Sequence, residues 1–432
     1  MNYEEARSYL DESNRYGGAQ GLDRISHLLD YLGHPEQDLS FVHIAGTNGK
    51  GSILSYVSTT LSLAGYRTGR YISPTLYSYE ERFQIDGKPI TKERFVCLME
   101  QIAEAVEQIE NNGYIRPSAF ELETVLSFLY FREEKCDLVV LECGLGGAED
   151  ATNVIQNTVA AVFASISMDH MQYLGDTLGK IARSKSGIIK KGTPVVTSLQ
   201  KSEAMEVLLQ ACSDKGSELI RADYHSARVL SSSLQEQIFL YEGNLWTIHM
   251  GGIYQIENAV TAIEVLKLLN RNGYPITTKQ MMDGMDAARW NGRFTILSKE
   301  PVFLVDGAHN PDAARKFVKS LLNSFTGRRI IYIIGIFRDK AYDEIVRITI
   351  PYGSEIITIQ TPDNPRALPA EELAAVVRNY TEHVQAAESL EEAVELAFSK
   401  SKKDDVIAAF GSLSFIGELT EIVKKYQEER ND

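Results

Sequence analysis

The segment that most limits what this chain can become runs over residues 39–65. An apolar stretch, LSFVHIA, ends in the run Gly46-Thr47-Asn48-Gly49-Lys50-Gly51-Ser52. Helical apolar spacing follows from about Ser52 to Ala64, and Gly65 stands where a helix would stop. Strand, glycine loop and helix in that order make an anion site. The glycines let backbone N–H groups approach phosphate oxygens, and the helix turns its positive end toward them. Lys50 supplies a cation for the β- and γ-phosphates, and Ser52 offers a hydroxyl to Mg²⁺. The match to the general phosphate-loop pattern is imperfect. With Gly49-Lys50 as the Gly-Lys pair, the first glycine would fall at position 44, which is Ile, and Gly51 intervenes before Ser52. A glycine-rich turn with a solvated lysine is the plainer alternative; the flanking strand and helix favour phosphate binding.

Around this segment strands and helices alternate. Residues 3–16 and 21–33 read as short helices. Strand-like runs at 137–142, 159–166 and 194–198 interleave with helical patterns at 91–111, 119–133, 177–190 and 202–215, which predicts a parallel, doubly wound α/β sheet. Residues 225–250 alternate polar and apolar positions, predicting hairpin strands at that sheet's end, with helices near 255–270 and 277–288. A second alternation begins near residue 300. Strands are expected at 302–305, 329–336, 355–359 and 406–409, helices at 312–324, 340–349, 370–382 and 389–400, and one more helix at the end. At 432 residues two domains are the natural prior. The boundary is placed within 291–301: residues 1–294 form a P-loop-type doubly wound domain, and 295–432 a smaller Rossmann-like α/β domain.

Further polar residues stand at predicted strand ends, where open sheets bind ligands. Glu142 closes the run DLVVLE and precedes Cys143-Gly144-Leu145-Gly146-Gly147; a carboxylate there suits Mg²⁺, though it could simply open a loop. Asp169-His170 follows VAAVFASIS, whereas His43, inside the first strand, reads as a structural hydrogen-bonding group. Lys185, in Ser184-Lys185-Ser186-Gly187, has a solvated helix face as its bland reading. Asp306-Gly307-Ala308-His309-Asn310-Pro311 opens a helix, with Asn310 as N-cap and Pro311 at the first helical position, a role compatible with lining a cleft. Arg293 lies at the expected boundary, able to reach phosphate.

Charge and cysteine content narrow the partners. With 44 Lys and Arg against 59 Asp and Glu, the net charge is −15, unsuited to neutralising a nucleic-acid backbone. Cys97, Cys136, Cys143 and Cys212 show no metal-ligand or CxxC spacing, which points to a reducing compartment. The acidic, amphipathic start is unlike a secretory signal, and no apolar run approaches the roughly 20 residues of a membrane span. A cytoplasmic monomer with no nucleic-acid or membrane partner is expected.

Together these segments resemble the folylpolyglutamate synthase/dihydrofolate synthase family, a branch of the Mur ligase superfamily. Beyond GTNGKGS, the resemblance takes in Ser73-Pro74 with Glu81-Arg82-Phe83, Phe120-Glu121 with Thr124, and Asp150-Ala151-Thr152-Asn153. It also includes Asp169-His170-Met171, Lys185 to Lys190, Tyr254-Gln255 with Asn258-Ala259, Gly292-Arg293-Phe294, Asp306 to Pro311 and Phe410 to Leu413. It implies that ATP phosphorylates a carboxylate of a folate or dihydropteroate and that the amine of L-glutamate attacks the acyl phosphate. The first domain would then carry folate-site loops, and the second would be the glutamate-ligase domain. By resemblance, Thr47 to Ser52 would hold nucleotide, with Lys50, Lys185 and His309 catalytic. Ser52 and Glu142 would ligate one Mg²⁺, and His170 and a carbamylated Lys185 a second; Asn258, Arg293 and Asp306 would contact the nucleotide.

The chain departs from the family pattern at Thr75 (commonly His), Ala148 (frequently Arg), Ser184 (commonly Glu) and Thr295 (often acidic or amide). These changes leave open which pterin substrate is taken. Two alternatives remain: a Mur-type ligase acting on another carboxylate, and a nucleotide-binding homologue without chemistry.

Overall fold

The structure is a computed structural model and describes residues 1–17 and 21–431. It divides into two compact units that the chain enters more than once. The first comprises 1–167, 171–227 and 257–288; the second comprises 168–170, 228–256 and 289–432.

The first unit is built on an eight-stranded sheet. Its strands are β1 (Phe41–Ala45), β2 (Thr68–Tyr71), β3 (Phe83–Ile85), β4 (Lys88–Pro89), β5 (Leu138–Glu142), β6 (Thr158–Phe163), β7 (Val195–Ser198) and β8 (Leu219–Ala222). The order is β4-β3-β2-β5-β1-β6-β7-β8, parallel from β2 to β8, with β3 and β4 antiparallel at one edge. The five residues of β1 and of β5 are all buried, which is why both read as continuous apolar runs. Ile44 pairs with Glu142 and Ala45 with Phe163, so the loops after β5, β1 and β6 leave the sheet side by side. Helix Lys50–Leu63 is buried on most sides, and its Ser and Thr residues permit close packing: a side chain at Gly284 would fall on Thr60. It ends at Ala64, with Gly65 at φ +99° and the Tyr66 N–H bonded to the Leu61 carbonyl, as the glycine predicted.

The second unit holds two sheets. The strands β9 (Arg228–Ser232), β10 (Gln237–Tyr241) and β11 (Asn244–Ile248) form a separate antiparallel sheet rather than an extension of the eight-stranded one. The alternation identified the strands, but Phe239, Tyr241, Trp246 and Ile248 bury their own apolar face within this unit. The six-stranded sheet contains β12 (Thr295–Lys299), β13 (Val302–Asp306), β14 (Ile330–Ile334), β15 (Glu355–Thr358), β16 (Val384–Ala386) and β17 (Val406–Phe410), in the order β12-β13-β17-β14-β15-β16. It is parallel except for β12, which lies within the expected boundary segment 291–301 as an antiparallel edge strand. Asp306 and Ile334 both pair with Phe410, so the loops after β13, β17 and β14 also start level. The helix expected over 340–349 is Tyr342–Thr349, which leaves Lys340 in the loop after β14.

Candidate active site

In the first unit the loop between β1 and its helix is pinned by backbone. Gly46 has φ +148°, and a Cβ there would lie 2.7 Å from that of Ala164; Gly49, at φ +101°, has no room for a side chain beside the Asn258 amide. The Thr47 and Asn48 N–H groups donate to the Ser165 carbonyl at 2.8 and 3.1 Å. The Thr47 hydroxyl donates to the Ser167 carbonyl and accepts from the Ser167 N–H, both at 3.1 Å, and the Asn48 amide donates to the Ser167 hydroxyl at 3.2 Å. Lys50 opens the helix with its Nζ 3.6 Å from Glu142 Oε1. Lys185 is buried on helix Leu178–Ser186, where its Nζ donates to the Gly46 carbonyl at 2.9 Å. That contact settles the competition left open by the sequence: Lys185 is not on a solvated face. A carboxylate and a hydroxyl are the oxygen donors Mg²⁺ prefers, and buried Ser52 and Glu142 provide them beside the phosphate loop.

Behind the loop His43 is fully buried. Its Nε2 lies 2.8 Å from Thr152 Oγ1 and 3.0 Å from Cys143 Sγ, while Nδ1 has no hydrogen-bond partner; Thr152 Oγ1 in turn lies 2.5 Å from Asp150 Oδ1. In the charged ring a proton on Nδ1 would sit without an acceptor, and burial lowers the pKa to about 3. His43 is structural, as its place inside a strand suggested. Asp150 also accepts the Leu145 N–H at 2.7 Å and so shapes the glycine loop after Glu142.

In the second unit polar groups gather on one carboxylate. Asp169 Oδ1 takes a 2.5 Å hydrogen bond from Lys340 Nζ and a 2.9 Å bond from the His170 N–H; Oδ2 lies 3.3 Å from both His309 Nε2 and Asn310 Nδ2. Burial pushes the Asp169 pKa up, but the His309 hydrogen bond and the neighbouring positive charges outweigh it and hold the carboxyl well below its usual range. His170 adopts the left-handed φ of +49° and brings Nε2 to 3.3 Å from Lys340 Nζ. His309 is oriented by its own loop, its Nδ1 2.9 Å from the Gly307 carbonyl. Asn310 caps helix Pro311–Ser324 by accepting the Ala313 N–H at 2.9 Å, as predicted.

Asp306 accepts from the Tyr254 hydroxyl at 2.5 Å, the Phe294 N–H at 2.9 Å and the Ala308 N–H at 2.8 Å. Burial raises its pKa, opposed by the Arg293 charge, which lies close enough that a side chain at Gly307 would strike the guanidinium. A cavity of about 1300 Å³ runs along β12 and takes in Arg293 and Phe294, together with Arg289, Lys299, Arg328 and Phe398. Of the expected site residues it takes in Arg293 alone.

The sequence patterns described as the Mur ligase middle domain and as the Mur ligase glutamate ligase domain match residues 44–266 and 292–413. A dihydrofolate synthase/folylpolyglutamate synthase of Bacillus subtilis (strain 168) is 31% identical, over 98% of this chain and 99% of that protein. The chain belongs to this family of Mur ligases. Mycobacterium tuberculosis folylpolyglutamate synthase, solved with ADP and AMPPCP, superposes with a TM-score of 0.87 at 30% identity, covering 98% of both chains. E. coli FolC, in complex with DHPP and ADP, gives 0.87 at 26% identity over 99% of both.

Within this Mur ligase frame, the site residues expected from the sequence fall into two sets. Thr47, Asn48, Gly49, Lys50, Gly51, Ser52, Glu142, Lys185 and Asn258 are in the first unit; His170, Arg293, Asp306 and His309 are in the second. Sequence reasoning missed Lys340 and the role of Tyr254. The charged trio Arg338-Asp339-Lys340 directly after the apolar run of β14 was the available signal for Lys340.

Proposed function

We propose that this Mur ligase family member is an ATP-dependent acid–amino-acid ligase that joins L-glutamate to the carboxylate of a folate or of dihydropteroate through an acyl phosphate. The observation that carries the reading is the built phosphate loop, with Lys50 on Glu142 and the buried Lys185 on the Gly46 carbonyl. Alignment over 98% of the chain with a folylpolyglutamate synthase solved with ADP supports it.

The backbone of the loop and Lys50 would bind and orient the triphosphate, placing the γ-phosphoryl for in-line attack by the carboxylate. Mg²⁺ held by Ser52 and Glu142 would neutralise charge on the transferring group. By the family resemblance, carbamylation of Lys185 would turn its donor end into an anion able to hold Mg²⁺, and the resemblance gives His170 a metal-ligand role as well. Asn258, Arg293 and Asp306 would hold the nucleoside, Asp306 by fixing the loops from Gly292 and Gly307. His309, with Nδ1 tied to Gly307 and Nε2 on Asp169, is poised to hold a proton near the attacking amine. The first unit would supply triphosphate and pterin binding, and the second unit, which carries Arg293 and Asp306, the remaining nucleoside contacts and glutamate binding. A cytoplasmic monomer remains part of this reading; the free cysteines fit a reducing compartment.

The test is ADP release by purified protein with ATP, Mg²⁺ and L-glutamate, run separately with tetrahydrofolate and dihydropteroate. Glutamate-dependent ADP release and a glutamylated product are expected with at least one. Turnover only with UDP-linked muropeptides would move the substrate to another carboxylate, and ADP binding with no turnover would leave a non-catalytic homologue.

A further inference from the structure

Thr47 and Asn48 hang on residues 164–167, which continue past the end of β6, beyond the last β6–β7 pair at Phe163 and Thr197. Past that point β7 no longer pairs with it, although on its other side the Ala164 N–H still donates to the Ala45 carbonyl of β1 at 2.9 Å. The Ala164 carbonyl and the Ile166 N–H are taken by the side chain of Gln200, two residues beyond β7. Gln200 Nε2 donates to the Ala164 carbonyl at 2.9 Å, and Oε1 accepts the Ile166 N–H at 2.9 Å. One carboxamide thus supplies the acceptor and donor that an adjacent strand would offer. Nε2 also lies 3.1 Å from Thr197 Oγ1 and 3.2 Å from Ser198 Oγ, tying the clamp to the end of β7. The reversed amide would set oxygen against the Ala164 carbonyl and nitrogen against the Ile166 N–H, so the network fixes its orientation.

The other side of the same stretch receives the phosphate loop. Ser165 accepts both loop N–H groups, and Gly46 packs on Ala164 so closely that no side chain fits between them. We infer that Gln200 is a positioning residue for nucleotide binding: it holds residues 164–166 in the register from which Thr47 and Asn48 are suspended. The inference rests on the reading that this loop binds ATP phosphates. Gln200 does not touch the phosphates; it acts through Ser165.

Two variants test it. Gln200→Glu keeps the size but loses both donors and sets oxygen against the Ala164 carbonyl; Gln200→Asn keeps the amide but shortens its reach. Amide hydrogen exchange at Thr47 and Asn48 in the ligand-free protein should quicken by about tenfold. The Kd for Mg-ADP and the KM for ATP should rise by about tenfold, while KM for the pterin substrate stays within about twofold. Unchanged exchange at the two amides with unchanged ADP affinity would overturn the inference. So would faster exchange across the whole first unit with equal weakening of both substrates, which is the mark of general destabilisation. If the wild-type protein binds no ADP, the proposed function fails, and the exchange comparison still decides whether Gln200 positions the loop.

Discussion

The two units solve the same problem, presenting polar groups at the ends of parallel strands, by different means. In the first unit the loop after β1 is held through backbone: Thr47 and Asn48 on the Ser165 carbonyl, Gly46 against Ala164, and Lys185 on the Gly46 carbonyl. In the second the loops after β13 and β14 converge through charge. Lys340, His309 and Asn310 meet on Asp169, a residue supplied by the segment 168–170. A phosphate loop must bring its backbone close to a ligand, so its shape comes from a few anchoring bonds to neighbouring carbonyls and from absent side chains. A cluster that handles cationic and acidic groups can be organised by a counter-charge.

The difference can be broken most sharply at Asp169. Asp169→Asn keeps shape and removes the charge that faces Lys340, each side chain being 6% exposed. Leaving a buried ammonium unpaired is expected to lower unfolding stability by about 3–5 kcal/mol, read from denaturant midpoints; a loss under about 1 kcal/mol would place the organising force elsewhere. Lys340→Met added to that variant should recover part of the loss, since the two residues are coupled. In the first unit, Lys185→Ala should reduce turnover by roughly 10²–10³, with ADP affinity within a few-fold of wild type. Turnover that survives would remove Lys185 from the reaction.

Gly46→Ala probes backbone placement alone. It drives a methyl into Ala164 at φ +148°, and strain of about 1–3 kcal/mol would weaken ADP binding roughly ten- to hundredfold. Retained affinity would show that the loop can shift without loss of function. At neutral pH the smallest effect belongs to His43, whose contribution appears only on acidification. Its folded pKa of about 3 lies below the ordinary 6.5, so the unfolded chain takes up the proton first and acid favours unfolding. Stability should fall by up to roughly 1.4 kcal/mol per pH unit from this group as pH drops from 6.5 toward 3. His43→Gln should flatten that slope in urea titrations at stepped pH, and an unaltered slope would assign it to other groups.

Legibility followed the same divide. Strand, glycine loop and helix announce themselves within about twenty residues, because the glycines and the buried run are local requirements. The Asn310-Pro311 cap was equally readable. The Asp169 cluster was not: His309, Asn310 and Lys340 lie 140 to 171 positions from Asp169 in sequence, and Lys340 looked like the first residue of a helix that in fact begins at Tyr342. Short strands were also missed. β2 reads TGRY, and its buried Arg70 is accommodated by a hydrogen bond to Thr59, while β12 is a half-exposed edge without an apolar run. The separate three-stranded sheet shows that alternation identifies strands but not their partners.

The return of the chain to the first unit at residues 257–288 has a consequence for biosynthesis. When residue 227 has been made, the sheet of that unit is complete in sequence, yet Asn258, against which Gly49 is fitted, does not exist. To complete the returning segment through residue 288 the ribosome must add about 60 further residues, the first half of them destined for the other unit, which at 5–20 residues per second takes roughly 3–12 s. Over that interval the nascent chain carries an apolar sheet without its closing helices, a surface open to chaperone contact.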